Sequence, residues 1–446
     1  MLRAAGAVLA GTAGFGAVSA VAGCRSRSGG QTTRQEPAPP DALVVELADG
    51  NLAVVEAATG RMLVQPAPAV VSGDGRRLVR VERSDGGTRL TSHRLPDGAA
   101  VSAGTLTGAL TVRATSADGA LVALADDAGP GHTPYRPGPR ERTTIVVADG
   151  AGQRRRLELP GNLEPEAFDV SRQALFVLDY LPPTAPDRYR VRVVDLASGR
   201  VEPLLTRVKA VVPAGAEEEM RGEGRQAVYD RARNRLFTLY THQPDHVHTR
   251  DRIAAANDAG AEQRDTGARD DAPHVHAFVH TLDLTERWAF CVDLPAPFGE
   301  HAATGHTIAL SRDGSRLYVA DTGTGALATI DPDGLTVVQS VRFDALTGTT
   351  GSGGAAPAAA TFDGVGTLLI GAGREVAGMA VATGGGPVPR WTAPAEVRGL
   401  AGPPDGSLLY VGQPDAVLRV DPGTGAVRQR IDVPGLVALR QVIPAG

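Results

Sequence analysis

The chain has 446 residues, of which 42% are hydrophobic and 21% charged, a composition typical of globular proteins. Its net charge of −5 excludes the strongly basic composition of nucleic-acid-binding proteins and of polybasic proteins that bind membrane surfaces. The 55 glycines and 32 prolines favour a fold in which many short strands are joined by tight turns.

The N-terminal segment has the order of features found in bacterial export signals. Arg3 precedes an apolar run from Ala4 to Ala22, which is too rich in small residues to predict a permanent transmembrane helix. The run ends in Val21-Ala22-Gly23-Cys24, which resembles the lipobox of bacterial lipoproteins. The resemblance implies that residues 1–23 are a signal peptide and that Cys24 carries a lipid. The alternative is an ordinary signal peptide or a short anchor with an incidental cysteine.

The lipid would hold the mature chain on the extracytoplasmic face of the cell membrane. The region from Leu2 to Gly6 looks like the end of a twin-arginine signal, so we expect a start codon upstream of Met1 and export in the folded state. Residues 24–41 are polar and proline-containing, without apolar periodicity, and they predict a disordered tether.

From Ala42 onward the chain repeats a unit of four short strands. The clearest copy runs from Gly305 to Phe343, with turns at Ser311–Gly314 and Asp331–Gly334. Copies recur about every 40–55 residues, the length of a β-propeller blade, and helical periodicity is nearly absent. The first turn recurs at Gly73-Asp74-Gly75, Ala117-Asp118-Gly119, Phe362-Asp363-Gly364 and Pro404-Asp405-Gly406.

The number of units predicts an all-β, eight-bladed propeller over residues 42–446. Ala42 to Pro66 supplies three further strands, and Leu436 to Ile443 is a solitary strand. Pairing the two ends would complete an eighth blade and cover the edge strands. Seven blades is the alternative if one weak unit is miscounted. Full units begin near Ala67, Gly108, Leu163, Glu223, His301, Ala356 and Val397.

The segment Tyr318-Val319-Ala320-Asp321 and its relatives resemble the YVTN-type repeats of bacterial surface propellers. Their superfamily also contains quinoprotein-dehydrogenase-like propellers. The resemblance covers about residues 42–446 and implies the architecture. It does not imply one activity, because blade motifs are shared by proteins with unrelated functions.

Histidine is concentrated around an inserted loop, at about 242–273, in the blade that begins at Glu223. Six of the ten histidines lie between 242 and 280. His-x-His on a strand places both imidazoles on one face, a geometry suited to zinc or copper. The alternatives are a site for a non-metal ligand or partner, and surface histidines without a function. The candidate ligand residues are His246, His248, His274, His276 and His280.

The remaining motifs do not predict an active site. The sequence has no Gly-x-Ser-x-Gly elbow, no Cys-x-x-Cys-His haem motif and no P-loop, so no catalytic residue is proposed. Cys291 is predicted to be a small buried hydrophobe, and Trp288 and Trp391 to be packing residues.

The sequence therefore predicts a monomeric, membrane-tethered propeller that binds a protein, glycan or small ligand and no nucleic acid. The alternative is an enzyme, either a metal-dependent lactonase or a quinoprotein-like dehydrogenase. An enzyme would need ligands drawn from several blades at the channel mouth, whereas the histidines here lie in one blade.

Overall fold

The computed structural model describes residues 41–126, 137–206, 219–220, 223–241, 277–301, 303–346, 356–364, 366–381, 387–403 and 406–445. These residues form a ring of eight antiparallel sheets, together with two 3-10 helices, Ala48–Gly50 and Ala303–Gly305. The prediction of an all-β, eight-bladed propeller is confirmed.

The first blade is closed by the two ends of the folded chain. Its inner strand is β33 (Leu436–Ile443), followed outward by β1 (Ala42–Leu47), β2 (Leu52–Glu56) and β3 (Met62–Ala67). Ala42 pairs with Ile443, and the β1 residues that face this pairing are buried. The predicted closure by a solitary C-terminal strand is therefore confirmed.

The next three blades follow in chain order, each from an inner strand to an outer strand. Inner strands of neighbouring blades contact one another around the channel. Blade 2 contains β4 (Ala69–Val71), β5 (Arg77–Ser84), β6 (Gly87–Arg94) and β7 (Ala100–Thr107). Blade 3 contains β8 (Leu110–Thr115), β9 (Val122–Asp126), β10 (Arg142–Asp149) and β11 (Gly152–Pro160). Blade 4 contains β12 (Asn162–Phe168), β13 (Ala174–Leu181), β14 (Arg188–Asp195) and β15 (Val201–Pro203).

Blade 5 differs from the predicted four-stranded unit because it has a fifth strand. Residues Leu205–Thr206, β16, pair in parallel with the outer strand β20 before the chain enters the blade. The added strand covers part of an edge that would otherwise be open to pairing with other chains. The blade's own strands are β17 (Glu223–Asp230), β18 (Arg235–Thr241), β19 (Ala277–Asp283) and β20 (Trp288–Asp293).

The last three blades complete the ring with four strands each. Blade 6 contains β21 (His306–Leu310), β22 (Leu317–Asp321), β23 (Ala326–Asp331) and β24 (Thr336–Arg342). Blade 7 contains β25 (Ala359–Phe362), β26 (Thr367–Ala372), β27 (Glu375–Ala380) and β28 (Pro387–Thr392). Blade 8 contains β29 (Leu400–Ala401), β30 (Leu409–Gln413), β31 (Ala416–Val420) and β32 (Val427–Asp432).

The hydrophobic core is divided among the interfaces between neighbouring blades. In the described residues a separate cluster of buried side chains fills each of the eight interfaces. Between blades 3 and 4, for example, Ile145 packs in one cluster with Leu175 and Val177. Each blade therefore buries both faces of its sheet only in the closed ring.

Candidate functional site

The two ends of the ring differ in the connections that they carry. In each blade the connections from first to second and from third to fourth strand lie at one end, here called the turn end. The connections from second to third strand and from one blade to the next lie at the opposite end, here called the loop end. The turn-end connections of blade 6 span only 311–316 and 332–335, whereas the loop-end connection between β18 and β19 spans 242–276.

A contact between blades 2 and 5 crosses the turn end of the channel. Tyr229, at the end of the inner strand of blade 5, packs against Gly73 in the first turn of blade 2. A Cβ at Gly73 would lie only 3.0 Å from Cε1 of Tyr229, so a larger residue there would require the tyrosine ring to shift. Nε of Arg231 donates a hydrogen bond to the carbonyl oxygen of Gly73 at 2.9 Å. Blades 2 and 5 are not neighbours, so these residues bridge the channel.

Arginines join further turns at the same end. Arg172 of blade 4 pairs with Asp118 of blade 3 at 2.8 Å, and Arg287 of blade 5 pairs with Asp169 of blade 4 at 2.7 Å. Nη2 of Arg312, in blade 6, donates hydrogen bonds to carbonyl oxygens in blades 7 and 8 at 3.3 and 3.2 Å. These contacts hold neighbouring turns in fixed positions.

Four inner strands contain a β-bulge at a charged residue. Each bulged residue is left without a partner in the ladder to the next strand, as in β12, where Pro165 pairs with Val177 and Ala167 with Phe176. Bulges turn a side chain away from the regular alternation and are common beside binding sites. The bulged residues are Arg113, Glu166, Arg225 and Arg440.

A cluster of three buried charged side chains, here called the Glu164 cluster, is formed by Arg113, Arg140 and Glu164. Nε of Arg113 lies 2.9 Å from Oε2 of Glu164, and Nη2 of Arg140 donates to Oε1 at 2.6 Å. The Glu164 side chain is 0% exposed, and those of Arg113 and Arg140 are 4% and 7% exposed. Arg140 belongs to the loop-end connection between β9 and β10, so the cluster ties that connection to the inner strands of blades 3 and 4. Nη1 of Arg140 also lies 3.3 Å from Oδ1 of Asp126, so two carboxylates face the two guanidinium groups beneath the loop end.

A second buried acid, Glu166, follows on the same strand. Its Oε2 is inaccessible to solvent and accepts no hydrogen bond from any described residue. Burial raises the pKa of Glu166 from its ordinary value of 4.5 to about 7. The bulge thus holds a carboxyl group whose charge changes near neutral pH.

Glu166 adjoins an aromatic and sulfur-containing group that we call the blade 4–5 layer. Tyr240 stacks on Phe278 with ring centroids 5.1 Å apart, and its edge meets His280 at 6.2 Å. The pKa of Tyr189 is raised well above its ordinary value, first by burial and then by neighbours that include the carboxyl of Glu166. The layer consists of Tyr180, Tyr189, Met220, Tyr240, Phe278, His280 and Cys291.

Some of the predicted site residues lie in the part of the chain that the structure describes, and the others lie outside it. His280 is described, 1% exposed, and is part of the blade 4–5 layer. Cys291 is buried, as expected from the sequence, with 2% of its surface exposed. The other predicted site residues, Cys24, His246, His248, His274 and His276, lie outside the described residues.

Sequence reasoning missed the two buried acids and Met220. A signal for the acids was present, because Leu163-Glu164-Pro165-Glu166-Ala167 places two carboxylates in an otherwise apolar inner strand. Met220 gave no comparable signal, since its position depends on a bridge to Tyr189 in another blade.

A groove of about 700 Å³ lies on the rim between blades 6 and 7. Tyr318 and Phe362 line its inner part, and Val338 on the outer strand β24 is 51% exposed beside it. This groove is separate from the Glu164 cluster and the blade 4–5 layer, neither of which contributes a residue to it.

The described residues show neither of two features associated with metal and membrane binding. They contain no group of three or more His, Cys, Asp or Glu side chains arranged to hold a metal ion. No helix formed by these residues is both long and apolar enough to span a membrane.

Comparison with known proteins gives matches among solved structures. No family model and no curated protein sequence matches the chain. The dihydro-heme d1 dehydrogenase NirN in complex with DHE is 13% identical, with a TM-score of 0.48, over 93% of this chain and 77% of its own. The Dos1 propeller is 10% identical, with a TM-score of 0.49, over 87% of this chain and 94% of its own.

A periplasmic gluconolactonase of Pseudomonas aeruginosa, PpgL, is 18% identical, with a TM-score of 0.41, over 91% of this chain and 99% of its own. At these identities the similarity concerns the propeller fold and does not extend to an activity.

Proposed function

We propose that the chain is an exported, membrane-tethered propeller lipoprotein that binds a protein, glycan or small molecule at the loop end of its ring. One observation carries this proposal. The turn end of the channel is crossed by Tyr229 and Arg231, so a ligand approaching the channel enters from the loop end.

The loop end has the properties of a recognition surface. Rigid blades hold its connections around a central channel, and connections supported in this way often carry binding residues. Beneath it the Glu164 cluster holds paired buried charges, and Glu166 supplies a carboxyl group that exchanges a proton near neutral pH. These groups favour a ligand with polar parts.

Tethering rests on the sequence around Cys24. A lipid there would join the membrane to the ring through residues 24–41, a length of polar chain that reaches tens of ångströms when extended. The ring would then present its loop end to partners at the cell envelope.

Site-specific photo-crosslinking tests which surface binds. A photoreactive amino acid at Asp187 or Glu300 probes the loop end, and one at Thr424 probes the turn end; all three positions are exposed. We expect adducts in envelope preparations from the two loop-end positions and none from Thr424. A further position, Val338, probes the rim groove. Adducts confined to Val338 or to Thr424 would contradict the proposal.

The histidine content between β18 and β19 favours a second candidate, binding of zinc or copper by residues of that loop. The variant His246→Ala with His276→Ala is expected to lose bound metal in elemental analysis of the purified chain. The matched control is His93→Ala in blade 2, far along the chain from the histidine-rich loop. Equal metal content in both variants would remove this candidate.

A further inference from the structure

We propose that Met220, His280 and Cys291 form a binding site for one monovalent copper ion inside the interface between blades 4 and 5. The site is independent of the ligand proposed for the loop end. Of the candidate ligand histidines considered above, it contains only His280, which lies on β19. One of its three ligands is a thioether, so it differs from sites formed by His, Cys, Asp and Glu alone.

The spacing of the three side chains fits coordination. Sγ of Cys291 lies 3.6 Å from Sδ of Met220 and 3.6 Å from Nδ1 of His280. Metal–sulfur bonds of about 2.3 Å and metal–nitrogen bonds of about 2.0 Å, at tetrahedral angles, separate ligand atoms by about 3.5–3.8 Å. The Cys291 sulfur therefore already lies at the distance from each of the other two donor atoms that a shared ion would impose.

The backbone fixes each ligand in place. His280 and Cys291 are directly opposite each other on β19 and β20, so their side chains lie on the same face of the sheet. Met220 is held by two backbone hydrogen bonds with Tyr189, of 2.7 and 2.9 Å. The three ligands come from one blade and the segment that leads into it, and each is at most 2% exposed.

Ligand chemistry and charge select the metal. Thiolate and thioether sulfur are soft ligands that favour Cu(I) over harder divalent ions. On binding, the copper–sulfur bond replaces the thiol proton, which passes to the buffer, and the copper keeps its oxidation state. One thiolate and Cu(I) are together neutral, whereas Zn²⁺ would leave an uncompensated positive charge in an apolar interface.

Anaerobic titration with Cu(I) tests the site in the full-length Cys24→Ser chain, in which Cys291 is the only cysteine. We expect one equivalent to bind, with an ultraviolet sulfur-to-copper charge-transfer band and release of one proton. Cys291→Ser should abolish the band. Met220→Leu should keep it but weaken binding by at least about tenfold, measured by competition with a chromophoric Cu(I) chelator.

The matched control is Met379→Leu, since Met379 is 2% exposed in the interface between blades 6 and 7 and no described histidine or cysteine belongs to its cluster. A chain with His246, His248, His274 and His276 all changed to alanine should keep the band. Thermal unfolding confirms that each variant is folded, and Cys291→Ala replaces Cys291→Ser if the serine is not tolerated. The absence of a band in the folded parent chain, or equal effects of the two methionine changes, would overturn the proposal.

Discussion

Glu166 shows how one bulged residue can make the stability of the ring depend on pH. Oε2 of its carboxyl group is buried and accepts no hydrogen bond from any described residue, and its pKa in the folded chain is about 7 against an ordinary value of 4.5. The folded chain holds the proton more tightly than the unfolded chain does. The stability contribution is therefore fully present below about pH 4.5 and is lost as the pH rises through about 7.

We expect Glu166→Gln to remove this pH dependence. The amide cannot ionise, so above pH 7 the variant should be more stable than the parent by at most about 3 kcal/mol, the free energy that corresponds to raising a pKa from 4.5 to about 7. At pH 4.5 the two chains should differ little. Urea unfolding at both pH values measures the difference. Glu286→Gln, at an exposed turn position, is the control and should follow the parent. If the free energies of unfolding of Glu166→Gln and the parent changed with pH in the same way, burial would not be what raises the pKa of Glu166.

Glu164 differs from Glu166, because its negative charge is paired with the guanidinium groups of Arg113 and Arg140. We expect Glu164→Gln to destabilise the chain by about 3–5 kcal/mol, since it removes the carboxylate that faces the buried guanidinium group of Arg113 and one of the two that face Arg140. Denaturant unfolding measures the loss. The control is Glu202→Gln, which removes an ion pair whose side chains are 77% and 44% exposed and should cost less than about 1 kcal/mol. Similar losses in the two variants would contradict this account of the Glu164 cluster.

The sequence predicted the turns more completely than it predicted the buried groups. Asp118 in Ala117-Asp118-Gly119 accepts a hydrogen bond from Ser116 and another from the Ala120 backbone, a local arrangement that sequence spacing is enough to reveal. The Glu164 cluster depends instead on the relative placement of two blades and a loop. Met220 meets Cys291 only after a bridge to blade 4 has formed. Such contacts join distant parts of the chain, and local sequence patterns do not predict them.

Among the strands, β33 has the largest influence on the ring because it joins the two ends of the folded chain. The sequence predicted this pairing from a solitary C-terminal strand, and it also placed the starts of the other blades within a few residues. It did not predict β16, because two residues have too little pattern to identify a strand. Their assignment depends on the edge that Trp288 and Ala289 provide.

We expect deletion of residues 436–446 to prevent formation of a closed monomeric ring. The deletion removes the inner strand of blade 1, and with it the Leu436, Leu439 and Val442 side chains from the interface with blade 8. It also exposes the edge of β1, which can then pair with other chains. Size-exclusion chromatography should show dimers or aggregates, and thermal unfolding should lose its single sharp transition. Deletion of residues 444–446 alone, which leaves β33 intact, should change neither measurement. A monomer with a normal transition in the longer deletion would show that the ring does not depend on closure.

At the scale of the whole molecule, the ring separates a closed end from an end with long connections. Ion pairs between turns, such as Arg287 with Asp169, fix the closed end, while each interface between blades has its own core. A rigid body of this kind does not need to change its overall shape to bind a ligand. Binding would instead involve the connections at the loop end, whose anchor strands are held by the blades.

The proposed attachment of this body to the membrane would depend on Cys24, and we expect Cys24→Ala to release it. The proposed lipid transfer would require the Cys24 thiol, and residues 24–41 precede the first strand, so the change leaves the folded ring untouched. The parent chain should partition with membranes and incorporate a labelled fatty acid, whereas the variant should lose the label and fail to partition with membranes. The control is Cys291→Ala, which removes the other cysteine and should keep both the label and the membrane fraction. Labelling of the Cys24→Ala chain would show that the lipobox resemblance does not identify the attachment site.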